Sequence, residues 1–112
     1  MKFEQPEPLS RDDLARELGS ADPARMTTAI IAAALHDRDQ PYVESLIVRF
    51  LQHNDPDVRR AAALAAGHVA RIHRALSVDR LVPLLERLLS DPQVGGTAQD
   101  ALDDIRMFLG KP

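Results

Sequence analysis

The stretch Asn54–Leu76, "NDPDVRRAAALAAGHVARIHRAL", opens on Asp-Pro and continues almost entirely in alanine, arginine and aliphatic residues. Aspartate suits the position that caps a helix. Proline suits the first helical position, where no amide donor is needed. Asp55-Pro56 therefore reads as a helix start. Behind it, Val58, Ala62, Ala65, Val69, Ile72 and Leu76 recur at alternating four- and three-residue intervals and form one apolar stripe. Ala61, Leu64 and Ala75 form a second. A helix with two apolar faces lies between neighbours, and its small side chains let those neighbours come close. Gly67 costs about 1 kcal/mol relative to alanine in a helix interior, which points to close backbone packing there.

Asp-Pro recurs at Asp22-Pro23 and Asp91-Pro92, spaced from Asp55 by 33 and 36 residues. That is the range of helical repeats. Seven residues after each aspartate lie Ala29, Ala62 and Ala98, and ten residues after lie Ala32, Ala65 and Ala101. Val58 and Val94 stand three residues after the second and third aspartates, where the first has Arg25. A second kind of segment alternates with these. Gln40–Asn54 begins at Pro41 and carries Leu46 and Phe50, while Val78–Asp91 carries Leu81, Leu85 and Leu88, all at helical spacing. Pro83 would kink a helix running through it, so Val78–Val82 reads as a turn and the regular helix begins at about Pro83.

At the N-terminus, Pro6 and Pro8 suggest an extended lead-in over residues 1–9. Ser10 can then cap a helix over about 10–18. Asp13 completes a capping box, Leu9 and Leu14 form a hydrophobic staple, and Gly19 is the C-cap. No segment shows the alternation of a strand. The expectation is one all-α domain over residues 1–112, a short right-handed α-solenoid of about six helices. A capping helix precedes repeats over about 22–54, 55–91 and 92–110.

The chain has 112 residues, 45% hydrophobic and 28% charged, the composition of an ordinary globular domain. It has no cysteine, which excludes disulfides, thiolate catalysis and Cys-based metal sites, and suits a reducing compartment. "MKFEQPEPLSRDD" has no apolar stretch, and the longest uncharged run, Met26–His36, is too short to span a bilayer. A cytoplasmic location without membrane contact is expected. Fourteen basic residues, all but two of them arginine, face seventeen acidic ones for a net charge of −3. That balance argues against a nucleic-acid partner and suits a basic protein partner.

Chemistry-bearing residues are sparse. His68 and His73 are five apart and do not share a helix face, unlike paired zinc-binding histidines on a helix. No metal site, cofactor site or catalytic site is expected, because there is no nucleophile elbow and no phosphate-binding glycine loop. Arg60, Arg71 and Arg74 lie on one side of their helix. They suit either binding of phosphate or an acidic partner, or a solvated face paired with Asp57 and other acids. "DALDDIRMF" (Asp100–Phe108) places Asp100, Asp103 and Asp104 together on an outer face. Like charges so placed repel, away from the favourable helix N-terminus, which suggests a basic partner. Asp79 and Glu86 extend that acidic face. The alternative is a local Asp103–Arg106 pair with a bridge to Arg71 or Arg74. Tyr42, Glu44, Arg71 and His73 are candidate anchors, tyrosine and arginine being enriched at binding hot spots.

"DPDVRRAAALAAG" (Asp55–Gly67) resembles the first helix of a HEAT repeat, and "LVPLLERLLSD" (Leu81–Asp91) resembles the second. The resemblance covers residues 22–110. Arg25 in the first unit and Gly95-Gly96 in the third depart from the pattern, as terminal repeats do. It implies a broad surface that binds macromolecules without catalysis. "GHVARIHRAL", "DRLVPLLERLLSDP" and "DALDDIRMF" further resemble small bacterial HEAT-like immunity proteins of contact-dependent inhibition systems. That resemblance implies a toxin domain as partner, basic if the acidic face is used. HEAT-like nucleic-acid binders such as DNA glycosylases are one alternative, and would need a basic concave groove. A general adaptor or a phycobilin-lyase-like unit is another.

Overall fold

Side-chain caps set most of the helix starts. Ser10 accepts a hydrogen bond from the Asp13 amide at 3.1 Å, and Asp22 from the Ala24 amide at 2.9 Å. Asp39 accepts from the Tyr42 amide at 3.3 Å, and Asp55 from the Asp57 and Val58 amides at 2.8 and 3.3 Å. Each satisfies an amide that the first turn leaves without a partner. In the computed structural model, which describes residues 7–110, the helices are α1 (Arg11–Leu18), α2 (Pro23–His36), α3 (Gln40–Phe50), α4 (Pro56–His73), α5 (Val78–Arg87) and α6 (Gly95–Leu109). There is no strand among the described residues. Most of the expected lead-in over residues 1–9 lies outside them.

Two local expectations are corrected. The Asp91 carboxylate does accept from the Gln93 and Val94 amides, at 2.8 and 3.2 Å, as Asp55 does in α4. Pro92–Val94 is nevertheless a turn, and α6 starts only at Gly95. Buried Val94 sits at φ −120°, outside the helical range, so the helix cannot run on from the proline. Pro83 does not begin α5; it lies inside it. Leu81 and Leu85, both fully buried, hold that face to the core, while Pro83 itself is exposed. Burial of the two leucines, about 1.5–3 kcal/mol each, offsets the lost backbone hydrogen bond. Gly19 closes α1 as expected, its amide N–H donating to the Ala15 carbonyl at 3.0 Å, at φ −85°.

The helices form two layers. α4 lies between α2 and α6 in one layer; α3 packs on α4 and α2, and α5 packs on α6 and α3, in the other. α1 covers α2. The repeat-spaced alanines are where the first layer closes: Ala29, Ala62, Ala98, Ala32, Ala65 and Ala101 are all buried. With extents of 35 × 32 × 29 Å, the stack is a block and not an extended arc.

The two apolar stripes expected on α4 are only partly covered. Val58, Ala62, Ala65 and Val69 are buried, but Leu64 is 46% exposed and Ile72 49% exposed. Among the described residues, no further helix packs over the outer side of α4 at Leu64 and Ile72. α4 also stops at His73, where Arg74 takes φ 51°, so Ala75 and Leu76 fall beyond the helix and its stripes.

Candidate protein-binding surface

α6 presents its acids on two sides and not on one. Asp100 and Asp103 are exposed. Asp104 instead turns toward α4 and is half-buried; its Oδ2 lies 2.8 Å from where a Cβ on Gly67 would be. Gly67 therefore makes room first for a carboxylate, and the expected backbone approach is also there, with the Ala101 Cα at 3.6 Å. Asp103 accepts from Gln99 Nε2 at 3.0 Å and pairs with Arg106 at 3.5 Å. The considered bridges from these aspartates to Arg71 or Arg74 are not formed. Arg71 contacts His68 Nδ1, and the Arg74 guanidinium lies 5.4 Å from the centre of the Phe108 ring. Burial holds the His68 imidazole below its ordinary pKa, Arg71 lowers it further, and Asp104 opposes both.

Asp79, in the first turn of α5, and Glu86, near its end, are exposed. α5 packs beside α6, so these four carboxylates belong to adjacent helices.

The remaining candidates are less available. Glu44 is only 7% exposed; its Oε1 accepts from the Ser77 amide at 2.9 Å. Ser77 precedes α5 and makes no side-chain cap of its own, so Glu44 ties α3 to the start of α5. A side chain so placed is structural, because removing it would leave a polar group unsatisfied. Tyr42 is half-buried under the Arg11 guanidinium, 3.5 Å from the ring centre. The His73 Nε2 atom is buried without a hydrogen-bond partner, while Arg71 is exposed.

One connection was not apparent in the sequence. Arg59 pairs with Asp91 at 2.9 Å and also donates to the His53 and Asn54 carbonyls at 2.9 and 2.8 Å. It joins the start of α4 to the turn before α6. The recurrence of aspartate at 55 and 91 was its only signal, since spacing does not say which arginine reaches across. The Gln93 amide, followed by the Arg59 guanidinium and the Val94 amide, holds the Asp91 carboxyl below its ordinary pKa against the effect of burial. A lowered folded-state pKa stabilises the fold above the unfolded value of 3.8. That contribution is lost as pH falls through the folded value. Asp91→Asn is therefore expected to flatten the acid side of the stability curve. In thermal melts at pH 7 and pH 3, the parent should lose more than the variant; equal losses would remove Asp91 from the account.

Two layers of paired helices, joined through buried alanines at repeat spacing, define a helical-repeat protein. A family model described as HEAT repeats matches residues 11–106, and the chain belongs to the HEAT-repeat family. The match includes α1, which the sequence resemblance from residue 22 onward did not. Among solved structures, a chain in the crystal structure of a CDI complex from Cupriavidus taiwanensis LMG 19424 is similar at 25% identity. The similarity covers 96% of this chain and 97% of that one, with a TM-score of 0.85. No curated protein matches. Among the described residues, no helix is long and apolar enough to cross a membrane.

Proposed function

We propose that this chain is an immunity protein, a non-catalytic binder that neutralises a cognate toxin domain of a contact-dependent inhibition system in the cytoplasm. The observation that carries this reading is the similarity, end to end in both chains, to a chain of a CDI complex. Charge supports a basic partner. The chain carries −3 overall, with exposed carboxylates at Asp100 and Asp103 on α6 and at Asp79 and Glu86 on α5. Such a surface steers a basic partner into encounter and accelerates association. Arg11, Arg16, Arg25, Arg59, Arg60 and Arg106 each pair with a carboxylate, which draws down the cationic surface that a phosphate backbone would need.

The test is to look for a toxin-like domain encoded beside this chain and to co-express the two. Restored growth and a co-purifying 1:1 complex are expected, and continued toxicity with no complex would defeat the reading. Asp100→Asn with Asp103→Asn is expected to slow association about tenfold at low salt, with less effect at high salt. Unchanged kinetics would remove the acidic face while leaving the immunity role standing.

A further inference from the structure

The outer side of α4 has a different character from the acidic edge. C-terminal to Asp57, α4 carries no carboxylate, yet it carries Arg59, Arg60, His68 and Arg71 and ends at His73. Arg59 and Arg60 are engaged by Asp91 and Asp57. Arg71 is exposed, and its contact is with the Nδ1 ring nitrogen of His68, not with an acid. It makes no ion pair within the described residues, although Asp104 of α6 faces the same part of α4. Leu64, at 46% exposure, lies seven residues before it on the same side of the helix, and Ile72, at 49%, follows it in sequence about 100° further round the helix. Between α2 and α4 there is an open groove of about 460 Å³. Its wall is Leu64, with Ile31, Ala24 and Ala61 along it and the Asp57–Arg60 pair at one end.

From this arrangement we propose that the α2–α4 face is a second docking surface, and that it takes an acidic amphipathic segment of a protein partner. Charge complementarity selects the occupant. A carboxylate meets Arg71, and an apolar side chain two helical turns away enters the groove beside Leu64. The helical rise sets that separation at about 10 Å. Exposed Leu64 and Ile72 favour a protein segment over a nucleic acid, which would leave both side chains facing phosphates and solvent. Arg71 can hold a carboxylate in bidentate fashion. The surface is distinct from the acidic residues of α5 and α6, so it stands or falls separately from the immunity reading.

The test uses the full chain, isotope-labelled, titrated with a synthetic helical peptide. Its leucine and glutamate lie seven residues apart. Amide shifts are expected along Ala24–Ile31 and Arg60–Ile72, and weaker but persistent binding is expected at high salt. Arg71→Glu and Leu64→Asp should each weaken binding about fivefold or more, with unchanged circular dichroism. A peptide with the leucine replaced by serine should bind less well. The proposal is overturned if the shifts fall elsewhere, if neither variant changes affinity, or if a short DNA duplex perturbs the same residues more strongly than the peptide. None of these outcomes depends on the toxin assay, so failure here and failure of the immunity reading are separable.

Discussion

Ala65→Leu is expected to lower the unfolding free energy by about 3 kcal/mol, at the upper end of what overpacking a well-filled core costs. Ala65 is completely buried in α4, the helix enclosed by α2, α3 and α6. Three added carbons have no free volume to enter and must push a neighbouring helix outward. A domain of this size has a total stability of about 5–15 kcal/mol, so the melting temperature should fall by roughly 10–20 °C. Leu64→Ala, one residue earlier, is the control. Leu64 faces the outer groove, and its loss is expected to change stability by no more than about 0.5 kcal/mol. Chemical denaturation of the two variants measures the contrast. Similar midpoints would mean that α4 is not packed on the side described.

Gly95→Ala should be the second large effect, about 1–3 kcal/mol of destabilisation. A Cβ at Gly95 would stand 2.6 Å from the Leu89 carbonyl oxygen and 3.3 Å from its carbon. Both are backbone atoms, so relief requires moving the turn that brings α6 back beside α5. The Gly95 amide also donates to the Asp91 carbonyl at 2.8 Å, so the same shift would loosen the start of α6. Gly96→Ala separates this contact from helix propensity. Nothing lies within 4 Å of a Cβ at Gly96, so alanine there should be neutral or stabilising by up to about 1 kcal/mol. If both variants shift the denaturation midpoint in the same direction by the same amount, the Leu89 contact carries no weight.

The fold was largely legible in the sequence because its signals are local. Asp22 and Asp55 cap helices wherever they stand before a proline, and alanines at fixed offsets mark where repeated helices meet. Those offsets led to the same six residues that the structure buries. The errors came where tertiary contacts compete with local preference. Pro83 stays inside α5 because Leu81 and Leu85 are held to the core, and the third Asp-Pro makes a turn because Val94 is buried in a non-helical conformation. Periodicity also cannot tell which apolar stripe a neighbour will cover, so Leu64 and Ile72 were assigned inward and lie outward.

For the surface, residue type and spacing determined the net charge, the acidic helix α6 and the cationic run of α4. Only the tertiary structure decided which of those charges remain available. Glu44 is used up on the Ser77 amide, Asp91 on Arg59, and Asp104 in the space left by Gly67. Asp103 is exposed but shared with Gln99 and Arg106, while Asp100 and Arg71 stay at the surface without an ion pair among the described residues. The reason is physical: helix spacing places a side chain on a face, but a charge is satisfied or left free by whatever group the packing brings within a few ångströms of it.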